Sequence, residues 1–161
     1  FERAAVSRWA DARWFGARLR APEAWAKVDV LIRQTARVPI AARSDGEGFR
    51  NSLLAGFGSA RYPAGFLVAY LNATMVRWAH YHRHRDARLG MPQVKIGHLR
   101  SIPAPPDALV APLCAMGDAL SARNRGITEE AQGALDAAVM DAFGLSEGQR
   151  ARVLRDAAKW R

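Results

Sequence analysis

His80, His82 and His84 form the densest group of candidate ligands in the sequence. His80 and His84 stand four residues apart, so on a helix they share one face, as two zinc-binding imidazoles would. No carboxylate or third ligand accompanies them as in H-E-x-x-H, and the group reads as a solvated basic face. Asp45, Glu47 and Asp86 lack the spacing of nuclease carboxylates. Gly56-Phe57-Gly58 offers neither the longer G-x-G-x-x-G pattern nor an acidic residue about 20 positions on. Amino-methyltransferases grip the target amine with an Asn/Asp/Ser-Pro-Pro-aromatic loop, and the Pro105-Pro106 pair has neither flank. Cys114 adjoins a helical apolar line, where a small buried hydrophobe is the default. The sequence thus carries no catalytic residues, no metal ligands and no cofactor-binding set of its own.

What remains is charge. The chain has 161 residues, a formal net charge of +9 and 50% apolar residues, with a pI near 10.9. The apolar fraction suffices for a packed domain, and the basic excess favours a polyanionic partner. Lys27, Lys95 and Lys159 are the only lysines, and the Arg, Ala and Gly bias suggests a GC-rich genome. One cysteine excludes an internal disulfide, and no uncharged apolar run reaches membrane-spanning length. The expectation is a soluble cytoplasmic protein with no membrane partner. The sequence starts at Phe1 in mid-pattern, which reads as a piece of a longer protein with chemistry upstream.

The element that must position these groups is one long helix over residues 64–87. Leu67, Leu71, Thr74, Trp78 and Tyr81 recur at steps of three and four as its buried stripe, with Trp78 largely buried. Arg77, His80, His84 and Arg88 share a second, basic face; Leu89-Gly90 and Pro92 end the helix. Alternation predicts strands at 28–32, 40–43, 49–54 and 94–96, with a hairpin at the Asp45-Gly46 turn joining the second to the third. A rigid P-A-P-P linker leads into helices. The first carries Leu109, Leu113, Met116 and Leu120, and Pro112 pushes its start toward Val110. The second opens at Thr128 with Leu135, Val139 and Phe143; the third opens on a Ser146/Gln149 capping box with Val153, Leu154, Ala157 and Trp160. The fold class is α+β: a small mixed or antiparallel sheet backed by a long helix, then a helical unit. The divisions are a lead-in over 1–27, a core over 28–106 and a helical subregion over 107–161.

The succession L-I-R-Q-T-A, P-I-A-A-R-S-D-G-E-G-F-R-N-S-L, F-L-V-A-Y-L-N-A-T-M-V-R-W and G-M-P-Q-V-K-I-G-H-L-R-S-I-P-A-P resembles the TaqI-like C-terminal specificity domain. That family is the target-recognition region of bacterial adenine-N6 DNA methyltransferases and fused restriction-modification enzymes. The resemblance covers about residues 28–105, and D-A-F-G-L-S is similar to the tail that follows such domains. Ala73 departs from the pattern, which often has Ser after Leu-Asn. The resemblance implies that the chain reads duplex DNA, while an upstream methyltransferase domain binds S-adenosylmethionine and flips the target adenine.

Side-chain chemistry agrees on the partner. Arg33, Gln34, Thr35, Arg43, Asn51 and Ser52 are candidates for base-edge contacts, since Arg and the amides bond guanine and adenine bidentately. Arg77, His84, Lys95, His98 and Arg100 are candidates for phosphate contacts. The competing reading is a helical protein-interaction module built on the Leu109 to Leu120 line. A hydrolase or nuclease using the histidines ranks last.

Overall fold

The computed structural model describes residues 22–49, 52–84, 92–122 and 127–160. Most of the lead-in, Asn51, Arg88, the Leu89-Gly90 stop and the Trp160 side chain lie outside the described residues. The fold is α+β. A short helix α1 (Pro22–Ala26) precedes strands β1 (Val30–Arg33), β2 (Ala41–Arg43) and β3 (Leu53–Gly56). These form one antiparallel sheet in the order β2-β1-β3. β1 takes the centre because it is the β-branched run with a fully inward face, Val30 and Ile32, whereas Ala41-Ala42 and Leu53-Leu54-Ala55-Gly56 suit edges.

That order corrects the expected hairpin. Gly46 does turn the chain with φ 84°, and the Asp45 amide donates to Glu47 Oε2 at 2.8 Å, yet β2 and β3 flank β1 instead of pairing. The hairpin that forms is β1–β2, closed by residues 34–40. The third strand also starts later than expected, at Leu53.

The expected long helix is two helices. α2 (Ala64–Asn72) ends at Ala73, which is extended at φ −63° and ψ 136°, and α3 (Thr74–Arg83) starts immediately after. α2 is buried on both sides: Ala64, Val68 and Leu71 pack with Val30, Ile32 and Ala41 of the sheet. Phe66, Ala69 and Tyr70 pack with Leu109, Leu113, Leu135 and Val139. Trp78 is half-buried, not largely buried, because α3 has left the sheet; its indole Nε1 donates to Asp156 Oδ2 at 3.3 Å.

Residues 94–96 do not form a strand. One bridge, Thr35 to Gln93, joins this segment to the end of β1, and then α4 (Ile96–Arg100) begins. Leu99 and Ile102, three residues apart, pack on the sheet-side core, so the helical period wins after Val94. A 3-10 turn (Asp107–Leu109) leads into α5 (Val110–Ala122), which leaves Pro112 in the first turn as expected. α6 (Glu129–Ala142) is capped by Thr128, and α7 (Glu147–Ala157) by the Ser146/Gln149 capping box. Among the described residues no helix is long and apolar enough to cross a membrane.

α2 and α5 touch backbone to backbone at Gly65 and Gly117. A Cβ on Gly117 would lie 2.7 Å from the Gly65 carbonyl carbon, and one on Gly65 would lie 2.7 Å from the Cys114 carbonyl oxygen. Gly117→Ala should therefore force the helices apart and cost about 1–3 kcal/mol. Leu71→Asp would place an unpaired carboxylate between sheet and helix and cost about 4 kcal/mol. Urea titrations of both variants measure these losses, and an unshifted midpoint for Leu71→Asp would contradict the packing described.

Candidate nucleic-acid interface

The helix break sets the frame for the site. Asn72, 2% exposed, donates from Nδ2 to the Ala41 carbonyl at 2.7 Å and accepts the Ala41 amide on Oδ1 at 3.3 Å. Its amide thus pairs the outer edge of β2 as another strand would, and leaves no free ladder groups at Ala41. Asn72 Nδ2 also donates to the Val68 carbonyl at 2.7 Å. On the other side of the break, Asp136 of α6 receives the Thr74 amide and the Thr74 hydroxyl, each at 2.7 Å. Gln132 Nε2 adds a bond to Asp136 at 3.0 Å. The carboxylate supplies the N-terminal cap for α3 that Ala73 cannot.

Arg77, a candidate for phosphate contact, serves this frame. Its Nε donates to the Pro39 carbonyl at 2.9 Å, and its guanidinium bonds Asn72 Oδ1. It fastens the loop before β2 to the break.

The base-contact candidates divide. Arg33, Gln34 and Thr35 lie where β1 enters the 34–40 loop, and Ser52 is beside them, because the Gln34 amide donates to the Ser52 carbonyl at 2.9 Å. The Gln34 carbonyl accepts from the Val94 amide at 2.8 Å. Gln34 is thus held on a backbone bonded to two neighbouring segments, and the second segment carries Lys95 and Arg100, both exposed. Arg43 lies at the opposite end, paired with Val30 in register, and its guanidinium meets Asp118 Oδ1 at 3.2 Å. Three residues of β1 separate it from Arg33, about 10 Å at the rise of a strand.

The carboxylates follow the same division. Asp29, Asp45 and Glu47 lie at the Arg43 end, mixed with the exposed cations Lys27 and Arg43, and Asp29 Oδ2 accepts the Gly58 amide at 2.8 Å. At the other end the exposed charges among the described residues include Arg33, Arg37 and Lys95. Sequence reasoning passed over Arg37 and Gln93. The lone Arg in an Arg-rich chain gave little signal, and Gln93 stands out only through its bridge to Thr35.

His84 and His98 belong to a further group. Their rings stack in parallel, with centroids 4.1 Å apart and an interplanar angle of 4°, and His84 Nε2 lies 2.8 Å from Ser101 Oγ. His80 is 4% exposed, with ring centroids 5.3 Å from His84 and 5.5 Å from His98. His80 is therefore a core residue, contrary to the solvated face expected of it. Burial, then the neighbouring His84 and His98, lower its pKa to about 4. Burial, then His98 and Arg83, lower that of His84. Among the described residues no group of His, Cys, Asp or Glu is arranged to hold a metal ion. The parallel stack of His84 and His98 keeps those two rings side by side instead of converging on a point.

The apolar line expected on α5 lies inside the fold: Leu109, Leu113 and Leu120 are buried, and Met116 is partly covered. Tyr70 holds the linker that precedes it, its hydroxyl donating to the Pro103 carbonyl at 2.7 Å; burial pushes its pKa up to about 12. Comparison of the chain with protein-family models, curated proteins and solved structures finds no match.

Residues that fasten the fold and residues proposed to contact DNA should separate in thermal melts. Asp136→Ala and Arg77→Ala should each cost on the order of 2–3 kcal/mol, as charge-assisted bonds to buried groups are lost. Lys95→Ala and Arg100→Ala should leave the melting temperature unchanged. An Arg77→Ala melt indistinguishable from that of the parent chain would remove the structural role assigned to it.

Proposed function

We propose that this chain is the duplex-DNA target-recognition region of an adenine-N6 DNA methyltransferase or fused restriction-modification enzyme, working in the cytoplasm. The observation that carries the reading is the gathering of Arg33, Gln34, Thr35, Arg37, Ser52 and Lys95 at one end of the sheet, away from Asp29, Asp45 and Glu47, with Arg100 exposed at the end of the short helix that follows Lys95. A basic, amide-bearing loop on a rigid edge suits a groove lined by phosphates. In this reading Arg33 and Gln34 address guanine and adenine edges, while Lys95 and Arg100 hold the backbone. Methyl transfer and S-adenosylmethionine binding belong to a domain upstream of these residues. The chain itself supplies sequence reading and affinity, and no cofactor.

The chain alone should bind duplex DNA weakly, with affinity falling steeply as salt rises. Lys95→Ala or Arg100→Ala should weaken binding to all sequences alike and lower the log–log salt slope by about one for each phosphate contact removed. Gln34→Ala, in the longer protein that carries the methyltransferase domain, should relax discrimination at particular base pairs by about 1–3 kcal/mol. Fluorescence anisotropy at several salt concentrations and methylation-site sequencing read these two effects. A chain that binds no duplex at low salt would overturn the reading.

A further inference from the structure

Every charged group described around His80, His84 and His98 is cationic. Arg83 adjoins His84 on α3; Lys95 and Arg100 flank His98 on α4. Asp156 is engaged with Trp78, His82 and Lys159 where α3 meets α7. The surface of α4 that faces the sheet contributes only Leu99, and Ile102 just beyond it, neither of which titrates. Both ring nitrogens of His80 and Nδ1 of His98 are buried without a hydrogen-bond partner. Three imidazoles in mutual contact, with no carboxylate among the described residues bound to any of them, pack best while His80 and His84 are neutral, because added protons place like charges within about 5 Å at the edge of the core.

We propose that this imidazole cluster is an acid-sensitive latch: α4 stays docked on α3 while His80 and His84 are neutral, and detaches when they take up protons. α4 is suited to local release. It has five residues, none of them fully buried, and it is tied to the sheet through the Val94 amide and the side chains of Leu99 and Ile102. The segment that detaches carries Lys95 and Arg100, so acid would move both cations relative to Gln34. The latch does not depend on what the protein binds.

The sign follows from the lowered pKa values. His80, its pKa lowered from 6.5 to about 4 by burial and then by the His84 and His98 rings, favours the buried, docked state fully above pH 6.5, and that stabilisation is lost as pH falls toward 4. When release of α4 exposes His80 to solvent, its opening equilibrium should rise about tenfold between pH 7.5 and 5.5 from His80 alone, and His84 adds in the same direction.

Hydrogen exchange on the intact chain tests this, with rates corrected for their intrinsic pH dependence. The Leu99, Ser101 and Ile102 amides, bonded to the Lys95, His98 and Leu99 carbonyls, report α4; β1 and α2 amides serve as internal controls. The expected result is a rise of about tenfold in α4 opening at pH 5.5, with β1 and α2 unchanged. His80→Phe should remove most of that rise, and His98→Phe, at a partly exposed position that keeps a ring against His84, should reduce it if the first variant folds poorly. Equal α4 protection at both pH values, a loss shared equally by β1 and α2, or a pH dependence undiminished in His98→Phe would each overturn the proposal.

Discussion

The buried polar junction at Asn72, Ala73 and Thr74 is the constraint on which the rest of the structure depends. The backbone leaves the helix for a single residue, which exposes carbonyls at the end of α2 and amides at the start of α3 inside a packed core. Such groups must be bonded or the fold loses several kcal/mol. Asp136 answers the Thr74 amide and hydroxyl, and Gln132 Nε2 reaches the Asn72 carbonyl at 3.3 Å. The Asn72 side chain is then free to close the edge of β2. One junction therefore joins the sheet, the central helix and the C-terminal helices, and it explains why residues 107–161 share a core with α2.

The break also determines what each helix can do. A straight helix over 64–87 would have run its basic face along the sheet. With the change of direction, α2 is packed on both sides and carries no charge, whereas α3 turns toward α6 and α7 and presents His80 and His84 to α4. Arg77 becomes the tie between the break and the loop before β2. The close approach of Gly65 and Gly117 brings α5 into van der Waals reach of Phe66 and Tyr70.

Functionally, the sheet order matters more than the identity of any one arginine. With β1 in the centre, the 34–40 loop and the 92–95 segment meet at one end, and the acidic Asp45-Gly46 turn is sent to the other. A β2–β3 hairpin would have put Asp45 and Glu47 at its tip, beside the groups that were expected to meet DNA. The observed order keeps these carboxylates away from Arg33, Arg37 and Lys95, so the positive potential at that end is not cancelled locally.

Local patterns in the sequence determined the α+β class, the strand cores at Val30 to Ile32 and Ala41 to Arg43, the Thr128 and Ser146 caps, and the shift of α5 past Pro112. Each of these depends on neighbours within a few residues: alternation, a hydroxyl before a helix, a ring that blocks a hydrogen bond. Arg33, Gln34, Thr35, Lys95 and Arg100 could be proposed as contact residues from side-chain chemistry alone. Only the tertiary structure decided that Lys95 lies beside Gln34 while Arg43 pairs with Asp118 at the other end of the sheet, that Arg77 acts as a fastening, and that His98 joins His80 and His84. The break at Ala73 was equally hidden, because neither Asn nor Ala nor Thr stops a helix by propensity. It forms because Asp136, 62 residues on from Thr74, and Ala41, 31 residues before Asn72, offer the freed backbone and side-chain groups partners that a continuous helix could not use.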